Sequence, residues 1–178
     1  MLAFRPITVF VLISSLVCIS SPAQRGYFNV TGTDFLLKTH LIFVGKLVER
    51  NSYRSDDGIF TRHIFEVKDA IKGDLGNRVE ITEYGGTASD LTLTVTHNAH
   101  YSLGQEYLIF AYLDLLDHNR TLAGPLGQFQ VISDRSGRRV IRIYPSHPLS
   151  EVVGRDKTFE NLKSFSSQLR DVLEKSSH

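Results

Sequence analysis

From His40 to Ile143 the chain is written in short β-patterned runs separated by turn residues, and two of those runs are apolar on both faces. They are the early half of "HLIFVGKLVERN" (40–51) and the whole of "QEYLIFAYL" (105–113). A strand of that kind needs cover on each side, so both belong inside a layered structure. The neighbouring runs are one-sided. In "IFTRHIFEVKDAI" (59–71), His63, Phe65 and Val67 share one face, while Arg62, Glu66 and Lys68 lie largely on the other. "RVEITEY" (78–84) sets Val79 and Ile81 against Glu80 and Thr82, and "DLTLTV" (90–95) is expected to turn Leu91, Leu93 and Val95 inward. "GQFQVIS" and "RRVIRIY" read as a hairpin across Asp134-Arg135-Ser136-Gly137, and Asp57-Gly58 marks an earlier one.

Glycine placement narrows the architecture. Gly45 interrupts a strong strand, a costly position unless the strand bends sharply or carries a bulge there. Small barrels need such bends, because one long strand serves both halves of the sheet. In "IKGDLGNRVEITEYGG" (71–86) the glycines at 73, 76, 85 and 86 do not form a phosphate cradle. A cradle feeds straight into a helix N-terminus, and β-patterned residues follow here instead. The tail changes period: Phe159, Leu162, Phe165, Leu169, Val172 and Leu173 form one helical stripe over 158–175, with Thr158 as N-cap. The predicted fold is all-β, a small OB-like closed β-barrel over 39–145, with a C-terminal packing α-helix in the extension 146–178.

Residues 1–23 are read as a secretory signal peptide, followed by an N-terminal segment over 24–38. Arg5 precedes an almost uncharged apolar run from Ile7 to Ile19, and Ser21-Pro22-Ala23 supplies small residues for cleavage after Ala23. The run is too short to span a bilayer, so the product is expected to be released, outside the cell or into a periplasm, and not membrane-spanning. Cys18 is the only cysteine. A lipid anchor there would want a small residue before it, and Val17 is a poor fit. Without Cys18 the mature chain has no disulfide and no thiolate chemistry, so its core must suffice. Loss of Arg5 leaves 19 basic residues against 19 acidic ones, which gives no steering toward nucleic acid. Two sequons, at Asn29 and Asn119, matter only in a host that glycosylates secreted proteins.

No nucleophile elbow, zinc helix, P-loop or dinucleotide fingerprint occurs, and neither a catalytic residue nor a cofactor is expected. His97 and His100 have a spacing that can chelate a metal, although zinc would need a third ligand; solvated loop histidines are the plainer reading. Arg135, Arg138, Arg139 and Arg142 make a basic hairpin. Arg138 and Arg142 are its candidate ligand contacts, for a sulfated glycan for example, against the alternative of a charged edge that blocks sheet aggregation. Asp56 and Asp57 sit in a turn, where nothing in sequence shows convergence on a cleft.

Three stretches, "THLIFVGKLVERN", "IFEVKDAIKGDLGNRVEI" and "GQEYLIFAYL", resemble the N-terminal domain of tissue inhibitors of metalloproteinases and related netrin-like modules. The nearest flavour is that of disulfide-free bacterial secreted members of the superfamily, and the likeness covers about residues 39–132. It implies an OB-like fold and binding of an extracellular protein such as a protease. In those inhibitors a mature N-terminal cysteine chelates the protease zinc. The one candidate here, Cys18, lies within the apolar run and has no second cysteine to pin it. Unless the mature chain starts at Cys18, the wedge is not inherited. The expected function is a secreted, non-catalytic binding module for an extracellular protein, with a small-ligand or glycan-binding barrel as the alternative.

Overall fold

The computed structural model describes residues 31–144, 146–153 and 159–176. The signal peptide with Ala23, together with Cys18, Asn29 and Thr158, lies outside the described residues. The elements run α1 (Gly32–Leu37), β1 (Leu41–Ser55), β2 (Gly58–Lys72), β3 (Arg78–Tyr84), β4 (Gly86–Ala88), β5 (Leu91–Leu93), β6 (Glu106–Leu113) and β7 (Asn119–Thr121). A 3₁₀ turn (Gly124–Gly127) leads to β8 (Gln128–Gln130), β9 (Ile132–Ser133), β10 (Arg139–Arg142), α2 (Ser150–Val153), β11 (Phe159–Asn161) and α3 (Leu162–Lys175). The chain is thus mostly β with a C-terminal packing helix.

The main sheet is antiparallel in the order β3-β2-β1-β6-β7, with β8 also paired to β6. Its centre is buried on both faces, as the two doubly apolar runs require. On the inner face Phe43, Leu47, Phe65, Ile81, Tyr101, Tyr107 and Ile109 pack together. On the outer face Ile42, Val44, Leu108 and Phe110 meet Phe35 of α1, Ile141 of β10, and Leu162, Phe165 and Leu169 of α3. Phe43, Phe60, Phe65, Phe110 and Phe165 are completely buried, each worth roughly 1.5–3 kcal/mol of apolar burial. That is how a chain without disulfides holds two cores around one sheet.

β1 serves both cores by slipping register three times against β2, at Ile42/Phe43, Val44/Gly45 and Leu47/Glu49. Gly45 has a packing reason as well. A Cβ there would lie 2.9 Å from the Phe43 ring and 3.1 Å from Phe65 Cβ.

Three expectations need correction. The hydrogen-bonded ladder does not close into a barrel: among the described residues β3 and β7 are its two ends. Side chains bridge that seam instead, with the Glu83 carboxylate accepting the Thr121 N–H at 2.9 Å. Leu91 and Leu93 do not point inward. They sit on a three-residue hairpin, β4 with β5, outside the main sheet, and both are exposed. The C-terminal helix starts at Leu162, not 158. Phe159–Asn161 pairs with β10, and the Asn161 side chain caps the helix by accepting the Ser164 N–H. Hydrogen bonding to a neighbouring strand overrides helical periodicity at that end. The β9-β10 hairpin forms as read, but in a separate sheet ordered β11-β10-β9. α1 was not anticipated. Thr31 and Asp34 build a capping box around it, a signal present in the sequence.

Candidate functional site at the open rim

Register places the site. Arg50 pairs with His63 and His63 with Ile81; one step along, Ser52 pairs with Thr61 and Thr61 with Glu83. Residues two apart on a strand share a face, so these six side chains continue the inner face that carries Phe65 and Val79. Where the apolar core ends, a cavity of about 480 Å³ opens between this face and the chain from Gly85 to Tyr101. Ligand sites favour the mouths of rolled sheets, where rigid strands position the polar groups.

The floor is polar and buried. Tyr101 bonds Thr121 hydroxyl to hydroxyl at 2.6 Å, and Thr121 N–H is the donor to Glu83. Burial pushes the Glu83 carboxyl above its usual range, against the pull of Thr121 and Arg120. Burial also drives the Tyr101 hydroxyl well up. His63 packs edge-on to Tyr101 with ring centroids 5.1 Å apart. Its Nδ1 has no hydrogen-bond partner among the described residues, and burial lowers its pKa from 6.5 to about 4, with Arg50 adding to the effect. At neutral pH the floor therefore holds a neutral imidazole, beside a carboxyl group that makes no ion pair among the described residues.

Two hydroxyl pairs line the walls. Thr61 donates to the Gly85 carbonyl at 2.6 Å and lies 2.9 Å from Ser52 Oγ, while Thr87 and Thr92 pair at 3.0 Å. Gly86 (φ +126°) is needed against the first pair, since a Cβ would collide with Thr61 Oγ1 and Ser52 Oγ. The outer wall is pinned by Asn98, whose amide donates to the Tyr84 carbonyl.

Beside the cavity stands the β6–β7 turn. Leu113 and Leu116 are about half exposed and Leu115 fully so. The turn under them is nonetheless rigidly built. Asp114 Oδ1 accepts the N–H groups of Leu116 at 2.8 Å and His118 at 2.9 Å, and Oδ2 pairs with the buried Arg120. Burial alone would raise the Asp114 carboxyl, but the bonds from Arg120, His118 and Leu116 outweigh it and hold it low. Arg120 stacks 3.5 Å over the Tyr84 ring, so it joins the leucine tip to the strand that carries Glu83.

The residues singled out by sequence do not gather at this site, His100 apart. His100 lines the cavity. His97 is exposed with φ +64°, and its carbonyl abuts Gly124. Among the described residues no group of three potential ligands could hold a metal. Arg138 pairs with Asp134 at 2.8 Å, Arg139 pairs with Glu106, and Arg142 lies 4.8 Å over the Tyr144 ring. Three of the hairpin's arginines thus have partners within the chain, and the Arg139–Glu106 pair lies toward the end of β6 remote from Leu113. Glu83 is the residue that sequence reading passed over. It extends the inward series Val79, Ile81, and a charged residue in an inward register was the available signal. No helix among the described residues is long and apolar enough to cross a membrane. No protein-family model matches the sequence, and no curated protein matches it.

Proposed function

We propose that this chain is a secreted, non-catalytic binding module that docks an extracellular protein, such as a protease, through the rim of an OB-like, partly open barrel. The leucine tip carries this reading. An apolar group presented on a turn already fixed by Asp114 loses little conformational freedom on binding, and that is the main advantage of preorganisation. Asp117, exposed beside the leucines, disfavours an anionic lipid surface and favours a protein recess with a basic border, while the Asp114 charge is met by Arg120. The N-terminal apolar run supports export. The rim hydroxyls of Ser52 and Thr61 bond to each other and to the Gly85 carbonyl, with no hydrogen bond to His63 among the described residues, and that favours binding over turnover.

A photo-crosslinking residue at position 115 tests this in the extracellular fraction of the producing culture, with position 136 on the β9-β10 turn as control. A discrete adduct at 115, absent at 136 and suppressed by excess unlabelled protein but not by excess Leu115→Asp, is the expected result. Equal labelling at both positions, or suppression by the Asp variant as well, overturns it.

A further inference from the structure

We propose that the rim cavity binds a primary ammonium group on an aliphatic stem, with the Glu83 carboxylate as anchor and the Ser52 and Thr61 hydroxyls as further acceptors. This site does not depend on the leucine tip.

The direction of the hydrogen bonds selects the ligand. Thr61 has one hydroxyl proton, and the Gly85 carbonyl takes it. Ser52 must then be the donor in the Ser52–Thr61 pair. Both hydroxyls are left with lone pairs to offer. Glu83 is acceptor-only when ionised; Thr121 N–H occupies one oxygen, and no cation makes an ion pair with it among the described residues, since Arg120 pairs with Asp114 through Nε and acts on Glu83 only at longer range. Ser52, Thr61 and an ionised Glu83 together accept and do not donate. An ammonium brings three donors and no acceptor, and it supplies the counter-charge that a buried carboxylate otherwise lacks.

Other ligand classes fit less well. A sugar ring wants a free aromatic face, but Tyr101 is buried and the Tyr84 ring, 40% exposed, already stacks with Arg120 and packs against Phe60. A metal ion would find too few ligands among the described residues. The exposed Arg50 at the edge of the cavity repels a cation, so the ammonium is driven toward the Glu83 end. The stem has the exposed Leu93 and half-buried Val95 to lie against.

The group could come from a lysine of a partner protein or from a small free amine, and calorimetric titration of the full chain distinguishes them. The probes are n-pentylammonium and a tripeptide with a central lysine, blocked at both ends, with its Nε-acetylated form as the neutral control. Both ammonium probes are expected to bind saturably, and acetylation or Glu83→Gln is expected to weaken binding by roughly tenfold or more. A peptide that binds more tightly than pentylammonium points to a protein lysine, and the reverse to a free amine. Glutamine keeps an acceptor for the Thr121 N–H, so the variant should fold. Arg50→Gln alters an exposed side chain and is expected to tighten binding, which provides a second reading if the first variant misfolds. No saturable binding of either ammonium probe, equal binding by Glu83→Gln or by the acetylated peptide, or weaker binding by Arg50→Gln overturns the proposal.

Discussion

Acidification should destabilise the protein through His63, and the size of the effect follows from its burial. The folded-state pKa of His63 lies at about 4, below its ordinary 6.5. Between those values the unfolded chain binds more protons than the folded one, so stability rises with pH across the window. Equivalently, stability fully present above 6.5 is lost as pH falls toward 4. A gap of that width corresponds to about 3 kcal/mol, of which about 2.5 kcal/mol falls between about pH 7.5 and about pH 4.5. Two other buried groups act in the same range. His147 is also lowered by burial and adds to the loss. Glu83 is raised, so it opposes: the penalty on its ionised form disappears as pH falls through its folded pKa. Comparison with His63→Phe removes both contributions. Phenylalanine preserves a ring against Tyr101 and cannot titrate. Urea unfolding of both proteins at the two pH values should show the variant losing about 2.5 kcal/mol less than the parent. Equal losses would refute the reasoning, because the imidazole would then be protonated as readily in the fold as outside it.

Other consequences follow from the same contacts. Glu83→Ala leaves the buried Thr121 N–H without its acceptor and should cost about 1–3 kcal/mol in denaturant melts, whereas Glu83→Gln costs less. Arg120→Gln strands Asp114 and uncovers the Tyr84 ring, with an expected loss of about 3 kcal/mol and faster exchange of the Leu116 and His118 amides. Gly124→Ala drives a Cβ into the His97 carbonyl at φ +57°, so its thermal midpoint should fall by several degrees, roughly what 1–3 kcal/mol produces in a domain this size. Leu115→Asp, by contrast, changes a fully exposed side chain and should alter stability by less than about 0.5 kcal/mol while failing, as unlabelled competitor, to suppress the crosslink made from position 115.

Much of the fold was legible because periodicity is local. The doubly apolar runs at 40–51 and 105–113 became the two central strands, and His63 lies on the inward face assigned to it. The strand-breaking Gly45 sits at a register slip. What could not be read depends on partners distant in sequence. Whether β3 meets β7 is settled by Glu83 reaching Thr121, and no pattern within either strand encodes that pairing. Leu91 and Leu93 alternate like buried residues, yet their strand is too short and too far from the main sheet to be covered. The cavity was invisible for the same reason. Its walls come from four separated stretches, and although Glu83 continues the inward series of Val79 and Ile81, nothing local tells of the Thr121 N–H that it meets.

The seam between β3 and β7 gives the molecule one joint unlike the rest. Every other junction in the main sheet is a backbone ladder, whose bonds are the same at any pH and with almost any sequence. Here the junction is a carboxylate, a tyrosine hydroxyl and a guanidinium lying over a ring. Its strength therefore answers to protonation and to point substitution, and the ladders on either side can stay intact while it does. Variation at Glu83, Tyr101 and Arg120 could retune the width of the mouth without any change to the strands that build it.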